Sequence, residues 1–246
     1  MGLRHIISPV ADVYGTPDTA ALRGKFETQL VFGEGFTVTE EKDGWCKGTC
    51  AHDGYAGFVE SRHLTPAPQL ATHIVTAARS HCYADATMKS PLACTLGFGS
   101  TIGITAEDNG FARMADGTWI YAKHITPLPA HINDYVATAH TYIETPYYWG
   151  GRSGFGIDCS GLVQMVLARA GIAAPRDSGD QEQAIGKTVE TPQRGDLVFF
   201  PGHVGIMVDD TRMIHANAFH MKVTVEPLAD VVARGSTITS IKRIFA

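Results

Sequence analysis

Three side chains able to make and break an acyl bond follow one another in the C-terminal part of the chain. They are Cys159 in Gly156-Ile157-Asp158-Cys159-Ser160-Gly161, His203 in Gly202-His203-Val204-Gly205-Ile206, and His215 in Met213-Ile214-His215-Ala216. A thiol becomes a nucleophile when a base takes its proton, and the base works best when a third group fixes its tautomer. Cys, His and His in this order point to hydrolysis through a covalent intermediate. An apolar stripe of Leu162, Val163, Val166, Leu167 and Ala170, with Gly171 and Pro175 as stop signals, predicts a helix over residues 159–170. Cys159 would then sit in the first helical turn, where unpaired N–H groups and the positive dipole end favour thiolate and lower a thiol pKa to roughly 3.5–7.5.

The two histidines need a hairpin of the right parity. If Asp209-Asp210-Thr211 is a three-residue connection, Val208 faces Arg212 and His203 faces Asn217, so His203 and His215 share one face as diagonal neighbours. Such neighbours lie roughly 7–8 Å apart at the backbone, within reach of two imidazoles. A two-residue turn would send them to opposite faces. Around this hairpin the pattern predicts a helix over residues 132–143, ended by Thr145-Pro146, and strands over 196–200, 203–208, 212–216, 222–226 and 237–245. Helices first and an antiparallel sheet after is an α+β arrangement.

The first half reads differently. Leu30-Val31-Phe32-Gly33 and Asp43-Gly44-Trp45 return 66 positions later as Leu96-Gly97-Phe98-Gly99 and Asn109-Gly110-Phe111. Phe58 to Pro66 returns at an offset of 61 as Trp119 to Pro127, so the first copy carries five extra residues around Cys50 to Tyr55. Each copy has short β-branched and aromatic runs split by Gly, Asp and Asn turns, the pattern of a small β-barrel. The expected architecture is multidomain: two small all-β barrels over 1–66 and 67–128, then an α+β domain over 129–246.

Length of 246 residues, 44% hydrophobic and 18% charged, suits a soluble globular chain with two or three small cores. A net charge of −5 argues against nucleic acid as partner. No stretch has signal-peptide character or membrane-spanning length, which reads as a cytoplasmic protein with no membrane partner. Five cysteines, Cys46, Cys50, Cys82, Cys94 and Cys159, suit a reducing compartment better than a disulfide framework. Cys46-Lys47-Gly48-Thr49-Cys50-Ala51-His52 lacks a second ligand pair at zinc spacing, so these residues are read as having ordinary packing or loop roles and no metal or cofactor is expected.

The motifs Thr145-Pro146-Tyr147-Tyr148-Trp149-Gly150-Gly151, Asp158-Cys159-Ser160-Gly161, Pro175-Arg176-Asp177-Ser178, Gly195-Asp196-Leu197 and Gly202-His203-Val204, then His215, resemble the NlpC-type cell-wall cysteine peptidases of papain-like fold, over about 110 residues. The duplicated N-terminal half resembles bacterial SH3-like domains. The resemblance implies Cys159 as nucleophile, His203 as general base and then acid, and His215 as orienting partner. It also implies a γ-D-glutamyl-L-diamino acid endopeptidase acting on wall peptides with a free N-terminal L-alanine. Tyr147, Trp149, Asp158, Ser160 and Ser178 would line the substrate pocket, Arg176 would hold its rim, and Tyr55 of the first module would close it. Asp158 suits an incoming ammonium, which is expensive to bury without a carboxylate; it also suits a helix N-cap, and the two roles are compatible. Glu27 is a candidate second acid. Two other readings stay open: a wall-lytic endopeptidase or amidase on intact polymer, and an inactive peptidase serving as a wall-peptide binding module. Oligomeric state is not legible.

Overall fold

The computed structural model describes residues 1–17, 26–67, 70–130 and 134–245. The chain divides into two compact units, residues 1–130 with 153–155, and residues 131–152 with 156–246.

The first unit is β-rich. Residues 2–65 form a seven-stranded sheet in the order Phe26–Val31, Val10–Tyr14, Ala56–Glu60, Trp45–Cys50, Gly35–Lys42, Gly2–Ile6, Leu64–Thr65. Residues 73–127 form a five-stranded and a three-stranded sheet. Each part has its own apolar core, Val13, Leu30, Phe36 and Val59 in one and Val75, Leu96, Ile102 and Ile120 in the other. Cys46 and Cys50 lie inside the first core, as packing residues.

The sequence repeat has a structural counterpart. Asp43-Gly44 and Asn109-Gly110 both turn with positive φ at both residues, 50° and 82° in the first and 49° and 76° in the second. Such turns match the twist of a hairpin, and Asp/Asn-Gly tolerates them best. Trp45 pairs with Glu60 and Phe111 with Tyr121, so the offsets of 66 and 61 describe one register, with the extra residues in the hairpin connection of the first copy. Each repeat then makes a single 3-10 turn, Ser61–His63 and Ala122–His124. The histidines of these turns are tied by their Nδ1 to Ser8 and Ser80, so they are structural.

The second unit opens with α1 (Tyr135–His140), capped by Asp134, whose side chain accepts from the Ala137 N–H. It is shorter than the periodicity suggests: α1 stops before Thr141, and of the anticipated span Ile132 lies outside the described residues. Next comes α2 (Cys159–Arg169), then two short helices that the sequence pattern did not reveal, α3 (Ser178–Ala184) and α4 (Leu228–Ala233). A six-stranded antiparallel sheet runs in the order Lys187–Thr188, Ser240–Arg243, Leu197–Phe200, His203–Met207, Arg212–Asn217, Lys222–Pro227. The last strand in the chain covers only part of the expected 237–245. α2 packs on the His203–Met207 and Arg212–Asn217 strands, which explains why both the helix and those strands are buried almost throughout. No helix among the described residues is long and apolar enough to cross a membrane.

Candidate active site

The hairpin has the odd connection. Met207 pairs with Met213 and the Val208 N–H donates to the Arg212 carbonyl, leaving Asp209 to Thr211 as the turn. Asp209 stabilises it by accepting from the N–H groups of Thr211 and Arg212 and from the Arg212 guanidinium. His203 and His215 therefore share a face, and His203 Nε2 lies 2.8 Å from His215 Nδ1. The backbone opposite His215 has to be bare. A Cβ on Gly205 would come within 1.9 Å of Met213 Cε and 3.2 Å of His215 Cβ.

Cys159 is the first residue of α2, and its sulfur accepts the backbone N–H groups of Val204 and Ser160. The Val204 bond brings the sulfur to the residue that follows His203. The helix start does not, however, make Cys159 a resting thiolate. Burial, with the Asp158 carboxylate beside it, pushes the thiol up to about 11, overriding the two N–H bonds and Arg176. A pocket that leaves Cys159 only 6% exposed withholds the water that would solvate a thiolate, and this outweighs the helix terminus. Burial and the neighbouring His215 hold His203 down at about 4, with Glu226 pulling the other way. At neutral pH the site thus holds a neutral thiol and a neutral imidazole. Iodoacetamide labelling of Cys159 in the substrate-free protein, followed by peptide mass spectrometry, should stay slow at neutral pH and climb toward pH 11. A labelling plateau already reached below pH 7 would show a resting thiolate instead.

The aspartate before the thiol is the N-cap of α2. Asp158 Oδ1 accepts the Gly161 N–H at 2.7 Å, and Oδ2 accepts the Gly150 N–H at 2.8 Å. Arg176 completes its shell with two parallel bonds, Nη2 to Oδ2 at 2.6 Å and Nη1 to Oδ1 at 3.0 Å, and also donates to Ser160 Oγ at 2.8 Å. Arg176 is therefore no rim residue: it is buried, and its charge is matched by Asp158. Asp158, which suits both an incoming ammonium and a helix N-cap, serves here as the N-cap and is paired with Arg176.

Of the other expected pocket residues, Ser160 is buried in this network, and Tyr147 is pushed up to about 12 by burial and by facing Cys159 and Asp158. Trp149 is 70% exposed and Ser178 opens α3. Tyr55 belongs to the first unit, where its ring packs against the first apolar core beside an Asp53 turn. Gln181 is fully buried and donates to the carbonyls of Ser160 and Pro175, fixing α3 against α2.

One residue escaped the sequence reading altogether. His215 Nε2 lies 2.7 Å from Glu226 Oε1 on the adjacent strand. Glu226 is buried, which raises its pKa, but bonds from Arg234, His215 and His220 prevail and hold it down at about 2. The signal was present as alternation: in the Lys222–Pro227 strand, Thr224 pairs with His215 and Glu226 is two residues on, on the same face.

Comparisons with known proteins bear on family and fold. Residues 144–240 match the NlpC/P60 family and residues 16–64 the bacterial dipeptidyl-peptidase Sh3 domain. A γ-D-glutamyl-L-lysine dipeptidyl-peptidase of Bacillus cereus is 29% identical over 83% of this chain and 71% of its own length. Dipeptidyl-peptidase 6 of Lysinibacillus sphaericus is 28% identical over 91% of this chain and 90% of its own. The crystal structure of an NlpC/P60 family protein from Bacillus cereus superposes with a TM-score of 0.82 at 23% identity, covering 99% of this chain and all of that one, which shows a shared fold. The segment that holds Cys159, His203 and His215 is thus an NlpC/P60 family cysteine peptidase domain, preceded in the same chain by a bacterial dipeptidyl-peptidase Sh3 domain.

Proposed function

We propose that this chain hydrolyses the amide between γ-D-glutamate and a diamino acid in peptidoglycan-derived peptides with a free N-terminal L-alanine, as a step in wall-peptide recycling. The observation that carries the reading is the Cys159 sulfur at the start of α2, reached by the N–H of Val204 on the strand that begins with His203, whose ring is bonded to His215 at 2.8 Å. The γ-D-glutamyl-L-lysine dipeptidyl-peptidase of Bacillus cereus supports the substrate class, and the dipeptidyl-peptidase of Lysinibacillus sphaericus the reaction type. The first 127 residues, in this reading, are two SH3-like barrels serving specificity, supported by their two separate cores and repeated turns.

In the mechanism, His203 takes the Cys159 proton as the sulfur attacks the amide carbonyl carbon, so charge is created only when substrate is present. The Cys159 backbone N–H, in the unpaired first turn of α2, holds the oxyanion. The C–N bond then breaks, His203 gives its proton to the departing amine, and a thioester remains. Water, deprotonated by His203, attacks the thioester and restores the thiol. Asp158, Arg176, Ser160 and Tyr147 form the rigid polar wall against which the peptide lies.

The test uses L-Ala-γ-D-Glu-diaminopimelate, its L-lysine counterpart and the N-acetylated form of each, with products resolved by mass. The free-amine peptides should be cut at the γ-glutamyl bond. Acetylation should lower kcat/KM by about 10- to 100-fold, the equivalent of one lost charge-assisted hydrogen bond. Equal cleavage of both forms would overturn the free-amine assignment, and no cleavage of either would overturn the substrate class.

A further inference from the structure

Behind the two histidines stands a third polar group with a defined sense of proton direction. Glu226 is a carboxylate, so both of its oxygens are acceptors only. His215 sits 2.7 Å from it through Nε2 and is held neutral chiefly by burial, so its single N–H must be on Nε2 and its Nδ1 must be a bare lone pair. That lone pair lies 2.8 Å from His203 Nε2, which must therefore donate. His203 is then protonated on Nε2, and Nδ1 is its one basic nitrogen. A donor at position 226 would invert the whole sequence and leave His203 with a hydrogen on the nitrogen that has to receive one.

We propose that Glu226 is a positioning residue of the peptidase, whose carboxylate fixes the tautomers of His215 and His203 so that His203 Nδ1 is the nitrogen that takes the Cys159 proton. It acts through His215 and touches neither thiol nor peptide, and the inference rests on the cysteine-peptidase reading above. When His203 becomes an imidazolium, its Nε2–H bond to His215 strengthens, and the chain ends in a fixed negative charge that offsets the new positive one. The charged and titratable groups facing Glu226 are His215 from the neighbouring strand, His220 from the loop between those strands at 3.4 Å, and Arg234 after α4 at 2.7 Å, with Asp230 of α4 acting on Arg234. Arg234 pairs with the same Oε1 as His215 and stacks on the Phe219 ring at 4.3 Å. Its role is to keep the carboxylate ionised. His220, at a longer distance, binds the other oxygen, so Oε1 is shared by His215 and Arg234 alone among these groups.

The experiment has two independent arms. Histidine 15N NMR of the intact, substrate-free protein at neutral pH reads the tautomers directly; Nε2–H on both His203 and His215 is expected. Kinetics on L-Ala-γ-D-Glu-diaminopimelate then compare the native chain with Glu226→Gln and Glu226→Ala, each checked for native melting. With the tautomers no longer imposed, kcat should fall by about 100-fold or more with KM nearly unchanged. The acid limb of kcat/KM should move to lower pH, because removing a negative charge makes the imidazolium harder to form. Glu226→Asp, which keeps the carboxylate, should recover part of kcat. Native kcat and an unmoved acid limb in Glu226→Gln would overturn the proposal, as would Nδ1–H on His203 in the native protein. Correct tautomers in a protein that leaves the peptide uncut would instead defeat the substrate assignment, so the two failures are distinct.

Discussion

Replacing Cys159 by Ala should remove turnover of the γ-glutamyl peptide by about 10⁴-fold or more while leaving the melting transition close to native. The size follows from the chemistry: without the sulfur no thioester forms, and what is left is the binding and oxyanion contribution that survives when a covalent catalytic unit loses its nucleophile. The fold should tolerate the change because alanine fills most of the cysteine volume and has higher helix propensity, and the N-cap bond to Gly161 belongs to Asp158. Cys159→Ser is the sharper variant. It keeps a nucleophile of similar size, but a hydroxyl is far harder to deprotonate than a thiol, and a His203 held at about 4 is too weak a base to do it unaided. Steady-state kinetics with both variants measure this directly. Activity within about 10-fold of native in Cys159→Ala would exclude covalent catalysis at that sulfur.

The largest expected stability effect belongs to Arg176. Both partners of the Asp158–Arg176 pair are buried, with Arg176 3% and Asp158 6% exposed, so removing the guanidinium leaves a carboxylate in low dielectric with two backbone N–H donors, the Ser160 hydroxyl and no counter-charge. Breaking such a pair from one side costs about 3–5 kcal/mol, whereas replacing both partners with neutral groups of similar shape is far milder. Urea unfolding of Arg176→Met should show the full loss, and Arg176→Met combined with Asp158→Asn should recover a large part of it. Equal losses in the single and double variants would mean that the ion pair contributes little and that Arg176 acts through packing alone. Ser160 makes the network directional: it accepts from Arg176, and it follows the nucleophile in the chain, so disorder in the pair would spread to the thiol.

The parts of this site that could be read from sequence are those set by local periodicity. The stripe of α2 from Leu162 to Leu167 gave its start and its buried face, and the count of residues between Val208 and Arg212 gave the parity that unites His203 with His215. The repeated Asp-Gly and Asn-Gly turns were legible because few residues accept positive φ twice in succession. What could not be read depends on contacts between distant segments. Glu226 reaches His215 only because Asn217 pairs with Lys222, and that register depends on a turn whose last residue, Met221, adopts φ of 53°, a conformation nothing about methionine announces. The resemblance alone places Arg176 at the rim, and its burial follows from an Asp158 partner 18 residues back, which no local pattern announces. The thiol was misread for a related reason. A helix terminus favours thiolate, but the depth of the sulfur beneath its surroundings is a tertiary property, and here depth wins. α3 and α4 were missed because seven- and six-residue helices are too short to show a stripe.

The central claim is that an acyl group passes through the Cys159 sulfur, and intact-protein mass spectrometry of the native chain, acid-quenched within the first turnover of L-Ala-γ-D-Glu-diaminopimelate, tests it most directly. The account predicts a transient adduct of the mass of the alanyl-glutamyl acyl group, located by peptide mapping on Cys159 and absent from Cys159→Ala. Turnover with no adduct at any quench time, or an adduct on another residue, would contradict it.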